Sequence, residues 1–404
     1  MIVTQLICRA RVCAWLLLGL TTGPLHAQVA SVIEIMPAVT TGDVDEFAIS
    51  PDGQSIAFVG TLEGDTADQA YLVPIAGGPA TLLNPAGVGD VDGGLAWMPD
   101  GSGVVVRYGG GDGNIDNQMY LLPADGSQAA TQLTFNNFNV FDPQISADGS
   151  TLYYTDARDD GNTDLDDLTY ATSIPNAGMM PAPTLITPDD VAEIDTGGYA
   201  QLGADIVFAG SLPGAGETRF FRTPVDGTGM PAEILISNAP ADYDIDEMMI
   251  TPDGQSIIFV GNLLGQDELF SMTIGGGDAI PLLVGTQSFA DVGAFVISPD
   301  GSMIAFEAEF NVDNQAEAYL VPTVGGIPTR ISEDLSGLSF NADVVAGVDR
   351  IAFTPDGQQL VYLADGRANG VNEMFIVTIP EPTGIALVLS ALGLFLLRRA
   401  AEVS

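Results

Sequence analysis

The sequence predicts an all-β fold, a seven-bladed β-propeller of four-stranded blades, on three observations. First, a short pattern of an apolar pair, Pro-Asp-Gly and a β-rich run recurs along most of the chain. Second, its turn glycines, Gly53, Gly101, Gly149, Gly203, Gly254, Gly301 and Gly357, are spaced by 48, 48, 54, 51, 47 and 56 residues. A period near 50 with several strands per repeat marks a radial or stacked array. Third, the segments between the turns are aromatic and β-branched with Gly, Asp and Asn punctuation, which favours short strands over helices.

Residues 1–27 open the chain with Arg9 and Arg11, an apolar stretch over residues 12–20 and a small-residue exit ending at Ala27. These are the three parts of a secretory signal peptide, and the apolar run is too short to span a bilayer. Cleavage is expected after Ala27, with Ala30 as the alternative. Both cysteines (Cys8, Cys13) and the single histidine (His26) fall inside this segment, and the chain has no lysine. The processed protein therefore has no disulfide, thiolate, imidazole or Schiff-base amine to work with, which removes most hydrolase and lyase mechanisms. Two-carboxylate chemistry of the glycosidase kind stays open.

The propeller is expected over residues 28–379. In the first repeat, residues 46–50 lead into Pro51-Asp52-Gly53, a tight turn in which Pro presets φ and Gly accepts φ > 0. Residues 55–60 form a second strand, QAYLVPI from Gln69 a third and PATLL from Pro79 a fourth. The third strand recurs as QMYLLPA from Gln118, ELFSMTI from Glu268, EAYLVPT from Glu317 and EMFIVTI from Glu373; the fourth as ATQLT from Ala130, AEILIS from Ala232 and IPTRIS from Ile327. The repeat at Tyr199 (YAQLGADIVFAG) has lost its Pro-Asp but keeps its glycine in register. This order of SPDG turn, strand, acidic loop and YL strand resembles the TolB-type, WD-like propeller repeat, over about residues 31–379. A β-solenoid is the rival fold, but its coils are shorter and less uniformly four-stranded.

The seventh repeat runs out after its third strand, at Ile379, while SVIEIM from Ser31 stands ahead of the first repeat without a partner. Residues 31–36 are therefore expected to serve as the outer strand of the last blade. That would seal the ring without a disulfide and remove a free sheet edge.

Residues 380–404 follow a different plan. Pro380-Glu381-Pro382, an apolar run over residues 384–397 and then Arg398-Arg399 resemble the PEP-CTERM sorting signal. The resemblance implies recognition by an exosortase-type membrane protease that cuts near the motif. The prolines stop the last strand and hold the motif extended, and the arginines keep the tail's end on the cytoplasmic side. At about 1.5 Å per residue the apolar run falls short of a roughly 30 Å hydrocarbon core, which suits a transient stop. An uncleaved anchor is the other reading.

Between the two ends, 51 acidic residues face 7 arginines, and the whole chain carries a net charge of −42. Such a surface rejects nucleic acid and anionic membrane and favours cations or basic partners; a solvated, salt-tolerant exterior accounts for it equally. With Asp156 as position 1 of a calcium loop, Asp160, Asp164 and Asp167 take positions 5, 9 and 12, although Arg158 occupies a ligand position. An Asp/Asn-turned hairpin is the competing reading. Trp97 and Tyr108 are candidate sugar platforms or core residues. The acids preceding each first strand, Asp43, Asp90, Asp244 and Asp291 among them, are expected to ring one mouth of the channel and to take up Ca²⁺ or a basic partner.

The expected function is accordingly a secreted, surface- or matrix-associated, non-catalytic binding or scaffold module. It requires no cofactor, with Ca²⁺ or another hard cation considered as a bound ion. Its expected partners are the exosortase-type protease and an exopolysaccharide or basic protein, with no nucleic acid and only transient membrane contact. The alternatives are a carboxylate-dependent enzyme on extracellular polysaccharide and a purely structural matrix component.

Overall fold

The computed structural model describes residues 30–35, 43–85, 90–109, 117–127, 129–135, 139–158, 166–174, 183–186, 198–211, 218–285, 292–310, 316–332, 350–365 and 371–379. They form seven four-stranded antiparallel sheets as a seven-bladed propeller, six in chain order from inside to outside and the last with the N-terminal strand outermost. The first strands of the blades are Asp43–Ile49, Ala96–Trp97, Val140–Ile145, Tyr199–Leu202, Ile245–Ile250, Val292–Ile297 and Ile351–Phe353. Among the described residues no helix is long and apolar enough to cross a membrane.

The Pro-Asp-Gly turns are built alike. In blade 5 the Asp253 carboxylate accepts from Thr251 Oγ1 at 2.7 Å and from the Gln255 amide at 3.0 Å. Gly254 takes a φ of +68° in that turn, a conformation that disfavours any side chain. Five residues beyond the turn glycine comes the blade's core position, held by Phe58, Val106, Tyr154, Phe208, Phe259, Phe306 and Tyr362, all buried. In five blades this side chain stacks on its cross-strand partner in the third strand, as Phe58 does on Tyr71 at 5.3 Å and Phe259 on Phe270 at 5.4 Å. Such pairs add about 0.5–1.5 kcal/mol beyond their buried area.

Closure follows the expectation. Ala30–Glu34 pairs antiparallel with Asn372–Thr378 as the outer strand of the last blade. Next to it, Ile35 is buried in one cluster with Val44, Phe47 and Phe58 of blade 1 and Val361, Met374 and Ile376 of blade 7. The first and last blades are thus joined by apolar packing as well as by a shared sheet.

Candidate functional site

A cavity of about 610 Å³ occupies the channel on the inner side of blades 1 to 5. Its polar lining is Glu46, Asp92, Arg107, Asp142, Gln144 and Glu247, with Phe141, Tyr199 and Met248 between them. Three of the acids share one repeat position. Glu46, Asp142 and Glu247 each stand seven residues before their turn glycine, Gly53, Gly149 and Gly254. In blade 2 that position is Gly94, and the space is used by its neighbour: the Glu46 carboxylate accepts from the Gly94 amide at 2.8 Å and the Leu95 amide at 2.5 Å. Gly93 has a φ of +89°, which disfavours any side chain, and a Cβ there would lie 2.2 Å from the same carboxylate and push it aside.

Asp142 is the unusual residue. It sits in an Asp-Pro pair inside a first strand, where proline removes a ladder donor and is tolerated at a bulge. The register of Val140–Ile145 on its partner indeed shifts between Phe141 and Gln144. Asp142 takes a φ of +49°, the one positive value at a non-glycine residue among those described. That conformation is strained, and more so ahead of a proline. The strain is held across the boundary of blades 3 and 4. The buried Tyr199 hydroxyl donates to the Asp142 carbonyl at 2.5 Å, and Gln144 Nε2 donates to the Tyr199 carbonyl at 2.5 Å.

The Asp142 side chain is exposed to the channel, and the protein around it removes part of its hydration. This desolvation pushes its carboxyl above the ordinary Asp value, against the opposing pull of a Thr155 hydrogen bond at 3.2 Å and the Arg107 charge. Desolvation also lowers Arg107, opposed by the charges of Asp92, Glu46 and Asp142 around it. Arg107 Nη2 donates to the Asp92 carbonyl at 2.7 Å, and its guanidinium lies 4.5 Å from the centre of the Phe141 ring. The Asp92 carboxylate accepts from the Asn117 side-chain amide. Three carboxylates, Asp92, Glu46 and Asp142, thus feel the charge of one guanidinium beside an open cavity.

Of the residues singled out in the sequence, Asp156 and Asp167 lie in paired strands, Asp156 opposite Leu168 and Asp167 opposite Ala157. Asp160, Asp164, Ala27, Pro380, Glu381, Pro382, Arg398 and Arg399 lie outside the described residues, as does Asp291. Tyr108 is buried and stacked on Tyr120 at 3.9 Å, and Trp97 donates its indole N–H to the Ala48 carbonyl at 2.9 Å, so both serve packing. The acids ahead of the first strands have a structural task. Asp43 accepts from the Asn372 amide at 2.7 Å, Asp90 from Asp68 at 3.1 Å and Asp244 from Thr218 at 3.1 Å. Each donor sits at or next to the start of the preceding blade's third strand, and Asn139 makes the same bond to the Asn117 amide at 2.7 Å. Blade-to-blade latching therefore occupies carboxylates that the sequence assigned to cations.

No family model matches this chain, and no curated relative does. Solved structures do. An oligogalacturonate lyase in complex with manganese aligns with a TM-score of 0.65 at 16% identity, over 88% of this chain and 95% of that one. An oligogalacturonate lyase from Vibrio parahaemolyticus aligns with a TM-score of 0.63 at 14% identity, over 87% and 94%. A TolB structure from Agrobacterium tumefaciens aligns at 0.48 with 17% identity, over 72% and 90%, too distant to carry an argument.

At these identities the likeness establishes the propeller fold. It also corrects two expectations. The reading as a non-catalytic module is overturned, since propellers that match over nearly their whole length are enzymes. The reading that no cofactor is required is overturned because one of those propellers holds manganese. The error in the first was physical: missing His, Cys and Lys remove particular mechanisms, not catalysis itself. The residues described here do not reproduce a manganese site. Among them no three of His, Cys, Asp and Glu come together to hold a metal, and the chain's one histidine is His26.

Proposed function

We propose that this protein is an exported enzyme that cleaves extracellular polysaccharide by carboxylate acid–base chemistry in the channel cavity. The observation that carries this is Asp142, a strained, desolvated carboxyl held over an open cavity beside a second carboxylate and a guanidinium. Strain and raised carboxyl pKa values cluster where proton transfer is done. Asp142, protonated to higher pH than an ordinary Asp, is the acid that gives its proton to the glycosidic oxygen. Asp92 is the base that activates water, and Arg107, whose charge acts on both, holds the pair's charge in place. Tyr199 and Gln144 position Asp142.

Export rests on residues 1–27 and on the resemblance of Pro380-Glu381-Pro382, the apolar run and Arg398-Arg399 to a sorting signal. In this reading an exosortase-type protease cuts near the motif after a transient stop in the membrane, which places the enzyme where extracellular glycan is. Intact-mass measurement on protein from its native host should show both ends removed.

The catalytic test is turnover of a panel of extracellular glycans by the purified protein, followed by reducing-end release. Asp142→Asn and Asp92→Asn should each lower kcat by at least a hundredfold while circular dichroism stays unchanged. Turnover that survives both substitutions would place the chemistry elsewhere.

A further inference from the structure

We propose that the channel cavity takes a neutral or amino-bearing glycan and turns away polyanionic sugars, unlike the oligogalacturonate of the lyases that share its fold. The inference rests on the enzyme reading of the same cavity and adds to it the substrate's charge.

Among the described residues the cavity wall carries four carboxylates, Glu46, Asp92, Asp142 and Glu247, and one cation, Arg107. That cation is committed. Its Nη2 donates to the Asp92 carbonyl at 2.7 Å, its face lies on the Phe141 ring, and Asp92, Glu46 and Asp142 already share its charge. A sugar carboxylate entering this space meets a cation surrounded by competing anions. A sugar ammonium meets a wall on which, among the described residues, carboxylates outnumber guanidinium groups.

The surroundings act in the same direction. Asp45, in the first strand of blade 1, and Asp68, just before its third strand, are raised above the ordinary Asp value by desolvation and then by neighbouring carboxylates, Asp43 for Asp45 and a set led by Asp45 and Asp90 for Asp68. The protein as a whole carries a net charge of −42. Salt damps that long-range field, with a screening length of about 8 Å at physiological ionic strength. Inside a channel with low-dielectric walls the field is focused and screening is weaker. Discrimination by charge therefore survives at the cavity when it has faded at the outer surface. The cavity's volume of about 610 Å³ falls in the range that holds small ligands.

Isothermal titration of the full processed chain tests this with three tetrasaccharide probes, of glucosamine, N-acetylglucosamine and galacturonate, at 20 and 500 mM NaCl. The expected result is at least tenfold tighter binding of the glucosamine or N-acetylglucosamine oligomer than of the galacturonate oligomer. Glucosamine binding should weaken as salt rises, and Glu247→Gln should shrink its advantage over N-acetylglucosamine severalfold. Galacturonate binding as tight as the others, or no binding by any of the three, overturns the proposal. Binding and catalysis separate cleanly. If no glycan is turned over but the ranking by charge holds, the enzyme reading fails and this inference stands; if galacturonate is cleaved in preference, the enzyme reading stands and this inference fails.

Discussion

Asp142 is held where an ordinary aspartate would not stay. A left-handed φ at a non-glycine residue costs on the order of 1–3 kcal/mol, and here the residue also precedes a proline. Its charge adds to the strain. Because its folded pKa lies above the ordinary value of 3.8, the folded state binds this proton more tightly than the unfolded chain does. Stability from this group is therefore complete below the ordinary value and is lost as pH rises through the folded one. At neutral pH the carboxylate destabilises the fold it serves. Asparagine keeps the shape, suits the left-handed region better and carries no charge. Asp142→Asn should accordingly melt at or above the parent at pH 7 while losing turnover, with the gap closing toward pH 4; a variant that melts lower at pH 7 would show that the site is not under strain. Tyr199 acts through Asp142. Removing its hydroxyl in Tyr199→Phe costs about 1 kcal/mol of stability and lets Asp142 relax toward water. We expect kcat to fall at least tenfold with KM nearly unchanged, and the alkaline limb of the pH profile to move to lower pH. An unchanged limb would leave Tyr199 as packing alone.

At the scale of strands, the closing segment has an effect out of proportion to its length. Ala30–Glu34 covers the edge of Asn372–Thr378, and Ile35, 2% exposed, donates its amide to the Met374 carbonyl at 3.0 Å. Ile35→Ala should cost about 2–5 kcal/mol, the range for a buried large-to-small change. Deleting residues 30–35 should lower the melting temperature further and leave an open edge that associates, which light scattering would detect. A deletion variant that melts with the parent and stays monomeric would mean that the ring closes without this strand. That strand was legible in the sequence because a missing fourth strand at one end matched a spare one at the other. The turns were legible for a similar reason, since Ser/Thr-Pro-Asp-Gly carries its own hydrogen-bond pattern. The site was not. With 51 acids between residues 28 and 380, no acid stands out by type. What selects Glu46, Asp142 and Glu247 is position, seven residues before the turn glycine, and what selects Asp142 among them is the proline after it in a strand. That Asp-Pro pair was the available signal. The latching role of Asp43, Asp90 and Asp244 was hidden too, because it depends on which third-strand amide the neighbouring blade presents.

For the molecule as a whole, apolar packing between blades works against charge. Separate core clusters run from one blade into the next, such as the one joining Phe220 of blade 4 to Phe259 of blade 5 and the one joining Phe47 to Val361 across the closure. Among the described residues the ion pairs are few, for instance Arg222 with Asp205 at 2.5 Å and Arg330 with Glu317 at 2.8 Å. With 11 basic residues against 53 acids, most carboxylates have no cation to pair with. Self-repulsion of this kind loosens a compact state, and it acts mainly over distances longer than a contact, where dissolved salt is effective. The melting temperature should therefore rise with NaCl at pH 7. It should flatten near 0.15–0.5 M, where the screening length falls to about 8 Å and below. At pH near 4, where many of these carboxylates take up protons, the same salt series should have a much smaller effect. Calorimetric scans over the salt series at both pH values measure this directly. A melting temperature indifferent to NaCl at pH 7 would show that the acids are spaced widely enough, or latched to backbone amides often enough, for repulsion between them to leave the ring's stability untouched.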